Sequence, residues 1–160
     1  MTPTNNKPEA PAGHVRSQAR LAAIQALYQM EIAEADAEGV IAEFRQHRFG
    51  GAAEGSLSEV DEGHFINLVR GVVVRQVEID RAIHKALATG WTLARIDSIL
   101  RALLRSAVFE LVERKDVPAR VVLDEYIQLA HDFFEGEEPR FVNGILDRLA
   151  KQLRPDEWAD

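Results

Sequence analysis

The chain has 160 residues, no cysteine and a formal net charge of −7. That length suits one domain with its own core, and the lack of cysteine excludes a disulfide framework, a thiolate metal site and a cysteine nucleophile. The acidic balance excludes a surface that is basic all over, so any nucleic-acid site is a local patch on an otherwise negative protein.

In chain order, residues 1–13 hold three prolines, two asparagines and almost nothing apolar. Such a segment cannot bury enough surface to offset the entropy of ordering it, and it reads as a tail. It also lacks the apolar run of a secretory signal, and no stretch approaches the ~20 apolar residues of a membrane span, so a soluble cytoplasmic protein is expected. From Ser17, a candidate N-cap, Leu21, Ile24, Leu27, Tyr28 and Ile32 recur at spacings of three and four and predict one helix face. A weaker helix is predicted from about Val40 to Phe49, with Val40, Ile41 and Phe44 inward, stopping at Gly50-Gly51. Ser58, spaced from Asp61 as in a capping box, starts the next. Its face runs through Phe65, Leu68, Val69, Val72, Gln76, Ile79, Ile83 and Leu87, with Gly90 as the stop.

Thr92 begins a short turn and Asp97 caps a helix whose face includes Ile99, Leu100, Leu103, Leu104, Ala107, Val108 and Leu111. So broad an apolar face belongs at the centre of a bundle. Pro118 opens the following helix, with Val122, Tyr126, Ile127, Ala130 and Phe133 on one side and Gly136 as its end. Pro139 starts the last, with Phe141, Val142, Ile145, Leu146, Leu149 and Leu153 inward and Pro155 as its stop. The summed expectation is an all-α bundle of about seven helices spanning residues 14–155, with 156–160 a C-terminal tail.

The chemistry-bearing candidates are few. No Gly-rich phosphate loop, HExxH or GxSxG occurs. His131, Asp132, Glu135 and Glu137 straddle a predicted helix end, and a solvated acidic terminus is preferred there to a metal site. No catalytic group, metal or cofactor is therefore assigned. Arg16 and Arg20 are four apart on one face of the first turn, where cations oppose the helix dipole. That placement suits either an anionic partner or an ion pair with a distant acid. Arg140, Arg148, Lys151 and Arg154 lie off the apolar stripe of the last helix, though cations near a helix C-terminus also favour the dipole. Asn143-Gly144 puts a helix-weakening glycine mid-helix, read first as a close helix crossing and second as an RNA contact.

Three segments in register carry a family resemblance. They are RSQARLAAIQALYQ near the start, ILRALLRSAVFELVERKDVPARVVLDEYIQLA in the middle, and RFVNGILDRLA at Arg140–Ala150. Together they make the chain resemble the NusB family of bacterial antitermination factors over roughly residues 14–155. The resemblance implies an all-helical protein without enzymatic activity. It implies pairing with NusE, a ribosomal protein of the small subunit, and binding of the boxA element of nascent RNA by the pair. Other Nus factors and RNA polymerase are then indirect partners, and the outcome is processive transcription of ribosomal RNA operons. By this resemblance Arg16 and Arg20 match two RNA-contacting positions, while Ser17 and Gln18 stand where relatives can carry further arginines. Tyr28 falls in the NusE-facing region, and a family acidic position falls at Leu100. Arg140 and Arg148 complete the expected RNA-binding set. NusB-like domains also occur fused to ribosomal-RNA cytosine methyltransferases, which need a catalytic cysteine that this chain lacks.

Overall fold

The computed structural model describes residues 12–49, 59–88 and 90–158. Among them are seven α-helices: α1 (Ala12–Ala33), α2 (Ala37–His47), α3 (Glu62–Val74), α4 (Gln76–Ala86), α5 (Ser98–Glu113), α6 (Ala119–Phe133) and α7 (Glu138–Leu153). Short 3-10 turns occupy Leu93–Arg95 and Pro155–Glu157. None of these helices is long and apolar enough to cross a membrane. The predicted all-α bundle is therefore the observed architecture.

α5 is the central helix, packed against α1, α3, α4, α6 and α7. Its sequence explains the position: from Leu100 to Leu111 every residue but Arg105 is buried. The Asp97 carboxylate caps it as expected, accepting from the Ile99 and Leu100 amides at 2.9 and 3.2 Å. α3 approaches α5 closely at Gly71, where a Cβ would lie 2.2 Å from the Phe109 ring. Gly144, expected to mark a close crossing, has only the Arg148 guanidinium near it, 3.8 Å from where a Cβ would stand.

Several helix limits differ from expectation, for local reasons. Ser17 is not a cap. α1 already runs from Ala12, and Ser17 Oγ sits within the helix, 2.8 Å from the Gly13 carbonyl and 2.7 Å from the Glu125 carboxylate. The first turn is tied in by the Asp61 amide, which donates to the Val15 carbonyl at 3.0 Å. α2 begins earlier than predicted because Asp36 caps it, accepting from the Gly39 amide at 2.7 Å. The Gly50-Gly51 stop and the Ser58 cap lie outside the described residues; Asp61 itself caps α3, accepting from the His64 amide at 3.0 Å. The long helix expected after it breaks at Arg75 (φ −107°, ψ 18°) into α3 and α4, just past the β-branched Val72–Val74 run. The break leaves Gln76 outward rather than inward. α4 stops at Ala86, before Gly90, whose φ of +93° belongs to the following loop. Ile32, expected inward, is exposed.

Candidate RNA and partner interface

The first turns of α1 carry two arginines with opposite fates. Arg20 is buried, and its Nε and Nη2 donate to the two carboxylate oxygens of Glu110 at 2.8 and 3.0 Å. The Tyr126 hydroxyl donates to the same carboxylate at 2.5 Å, and His64 Nε2 lies 3.2 Å from it. Arg114 Nη1 stands 3.2 Å from His64 Nδ1; because guanidinium only donates, Nδ1 accepts and Nε2 carries the proton facing Glu110. Burial alone would push the Glu110 carboxyl up, but hydrogen bonds from His64, Arg20 and Tyr126 and the Arg20 charge hold it down at about 2. Burial and the neighbouring Glu110 charge push the Tyr126 phenol up. This set joins α1, α3, α5 and α6 and takes up the donors of Arg20, so Arg20 is a structural cation rather than a free phosphate donor. That is the ion-pair alternative left open by its spacing.

Arg16 stays at the surface, its Nε 3.7 Å from Asp61. Asp61, Asp116 and Glu125 line the same shallow groove as Arg16. Carboxylates therefore surround the expected RNA-binding end of α1 and weaken its positive field.

The other expected cations divide in the same way. Arg154 is buried, donating to the carbonyls of Glu110, Leu111, Arg114 and Val117, and so closes the C-terminal end of α5. Lys151 pairs with Asp147 at 3.0 Å. Arg140 is exposed. Arg148 is exposed too, lying across Gly144 with Nε donating to the Ala86 carbonyl at 3.1 Å. The same helix, α7, meets a group that helical periodicity did not reveal. Trp91, half exposed in the α4–α5 loop, has its ring 6.1 Å from that of Phe141. Phe141 and Arg148 are two helical turns apart, so they share the α7 face that Arg148 covers at Gly144. The signal available in the sequence was a tryptophan beside a loop glycine, outside every apolar stripe.

Near the other end of α1, Tyr28 and Ile32 stand 37% and 61% exposed. They line a groove of about 300 Å³ with Ile99, Phe133, Phe44 and Arg48. Leu100 does not face it, being buried. A larger groove of about 720 Å³ flanks α1 beside Leu27, Met30 and Val72. Its charges are mutually satisfied: Arg101 pairs with Glu31, and Arg105 with Asp80 at 2.8 Å. Among the described residues, no three His, Asp or Glu side chains gather as a metal site. His131, Asp132, Glu135 and Glu137 are exposed.

A model of the NusB family matches residues 17–151. The transcription antitermination protein NusB of Maricaulis maris is 51% identical over 158 residues, covering 98% of this chain and 99% of that one. Its counterpart from Caulobacter vibrioides is 52% identical over 140 residues, covering 87% of this chain and 94% of the relative. The solved structure of T. maritima NusB superposes with a TM-score of 0.73 at 32% identity, covering 89% of this chain and 96% of that one. A crystal structure of NusB and NusE in complex with dsRNA shares the fold, with a TM-score of 0.70 at 23% identity over 87% of this chain and 98% of that one.

Proposed function

The chain belongs to the NusB family, and from that premise we propose that it acts as a transcription antitermination factor. It pairs with the ribosomal protein NusE to bind boxA RNA and supports processive transcription of ribosomal RNA operons. One observation carries the reading: antitermination proteins about half identical to this chain match it over nearly its whole length. The protein works in this reading by binding alone, in the cytoplasm where nascent RNA is made, with no catalytic step.

Two surfaces divide the work. RNA binds on the side of α7 where Trp91 meets Phe141, the helix that also carries Arg140 and Arg148, because single-stranded bases stack on aromatic rings while cations hold the phosphates. Arg16 adds a weaker contact, its field reduced by Asp61 and its neighbours. NusE docks on the Tyr28–Ile32 groove, where large apolar side chains stand in solvent. A net charge of −7 suits a basic ribosomal protein, which extends the positive surface that this chain supplies only locally.

The test is a titration of boxA RNA with this protein, with NusE and with both, at several salt concentrations. The mixture is expected to bind more tightly than either protein, with affinity falling as salt rises. A mixture that binds no better than NusE alone at moderate salt sinks the reading.

A further inference from the structure

Arg48 closes α2 as its C-terminal cap, its backbone amide donating to the Phe44 carbonyl. Its side chain turns into the Tyr28 groove. The guanidinium carbon lies 4.9 Å from the centre of the Phe44 ring, and Nη2 reaches the Gln25 amide oxygen at 3.3 Å. Nε is buried and has no hydrogen-bond partner among the described residues. The nearby acid of the same helix, Glu43, is engaged by Gln29 at 2.8 Å. A helix C-terminus favours a cation, but that does not account for a buried guanidinium N–H left open beside an apolar groove. Buried donors without partners are rare in folded proteins.

We propose that Arg48 is a specificity-determining residue of this groove, and that it receives a carboxylate carried by the docked protein partner. The inference rests on the reading of the groove as the NusE face. A planar carboxylate bridges the Nε and Nη2 edge of a guanidinium with two parallel hydrogen bonds, and the side chain turns its buried Nε towards the groove to present that edge. Gln25 holds Nη2 only loosely, so an acid arriving with the partner displaces or shares that contact. The surrounding walls, Tyr28, Ile32, Ile99 and Phe133, are apolar. They suit an amphipathic polypeptide segment bearing one acid, and not the continuous negative charge of an RNA backbone. The cation–π contact with Phe44 holds the guanidinium near the groove before the partner arrives, which lowers the ordering cost of binding.

The experiment measures NusE affinity by calorimetry for the unaltered protein and for Arg48→Ala, Arg48→Lys, Arg48→Glu and Tyr28→Ala, each at low and moderate salt. Arg48→Ala is expected to weaken NusE binding by about tenfold and to flatten its salt dependence. Arg48→Lys keeps the charge but loses the paired geometry, so it recovers only part of that loss. Arg48→Glu is the weakest binder. A double-mutant cycle against each NusE aspartate and glutamate then finds one acid coupled to Arg48 by at least threefold. If Arg48→Ala and Arg48→Glu bind NusE within twofold of the unaltered protein while Tyr28→Ala weakens it, the inference is overturned and the groove reading stands. Equal losses for Ala and Lys with unchanged salt dependence mark a packing role and also overturn it. So does a loss seen only in RNA affinity without NusE, which marks a phosphate contact. Failure of the unaltered protein to bind NusE removes the groove reading and the inference together.

Discussion

The start of α1 and the α7–Trp91 face both carry arginines off an apolar stripe, yet they present them differently. At the start of α1, Arg20 is buried against Glu110 and Arg16 lies among carboxylates. On α7, Arg140 stands in solvent, and Arg148 lies across Gly144 beside the helix face of Phe141. The difference comes from what the neighbouring helices bring. α5 and α6 bring Glu110 and Glu125 to α1, and the α3 cap brings Asp61. The α4–α5 loop brings α7 a tryptophan. A cation in a helix is available to RNA only when its tertiary neighbours supply no acid.

Removal of the acid that takes up Arg20 has the largest expected effect. Glu110→Ala takes away both hydrogen bonds of a buried guanidinium and leaves it only the Glu125 carboxylate, 3.7 Å from Nη1, so it is expected to destabilise the fold by about 3 kcal/mol in urea unfolding. Replacing both partners, as Arg20→Met with Glu110→Leu, is expected to recover only part of that loss, because His64 Nε2 is then left without its buried acceptor. A single variant costing under about 1 kcal/mol shows that Arg20 is not held as described.

The same carboxylate sets a pH dependence. Glu110 is held at about 2 in the folded protein against an ordinary 4.5, so the unfolded chain binds its proton more readily. Its contribution is therefore fully present above pH 4.5 and is lost as pH falls towards 2. The full effect is on the order of 3 kcal/mol. Urea midpoints measured across pH 2–6 are expected to fall more steeply on the acid side for the unaltered protein than for Glu110→Gln. Parallel curves exclude Glu110 as the titrating group.

Smaller still are the effects on RNA. Trp91→Ala is expected to weaken boxA binding by the NusE complex about tenfold, in line with the loss of one stacked base. Arg148→Ala is expected to lower the salt slope by roughly one phosphate contact. Arg16→Ala is expected to cost about threefold or less. If Arg16→Ala costs more than Trp91→Ala, the contrast between the two regions is reversed.

The smallest change sits at the far end of α1. Glu34 takes a left-handed conformation (φ 52°) as the chain leaves the helix, with the Ala35 amide donating back to the Met30 carbonyl at 3.2 Å. Glycine fits that conformation better, so Glu34→Gly is expected to stabilise the protein by about 0.5–1 kcal/mol. A lower thermal midpoint for this variant contradicts the backbone argument.

Much of the fold was legible because helix periodicity and capping are local. The all-α bundle, the central place of α5 and the Asp97 cap follow from spacing and residue type, whereas the break of one expected long helix into α3 and α4 at Arg75 does not. Ser17 misled because a serine before an apolar face resembles a cap, whereas a contact from Asp61 to Val15 anchors α1 further back. Gly144 misled because a helical glycine signals a close crossing only when a neighbour arrives, and the neighbour, Phe109, arrives at Gly71. Trp91 and Arg48 were overlooked because a loop aromatic and a helix-end cation have no periodic signature. Their meaning lies in Phe141 and in the Tyr28 groove, which are distant in sequence.

By itself the sequence determined that this protein is an acidic, cysteine-free helical bundle, and which helix lies at its centre. It also carried the motifs of the NusB family. Those properties depend on residue type and on spacings of three and four, which a helix converts directly into faces. Only the tertiary structure decided which arginines are free. Whether a guanidinium is buried, paired or open depends on distant side chains, 90 positions away in the case of Arg20 and Glu110. Local pattern carries no information about that distance.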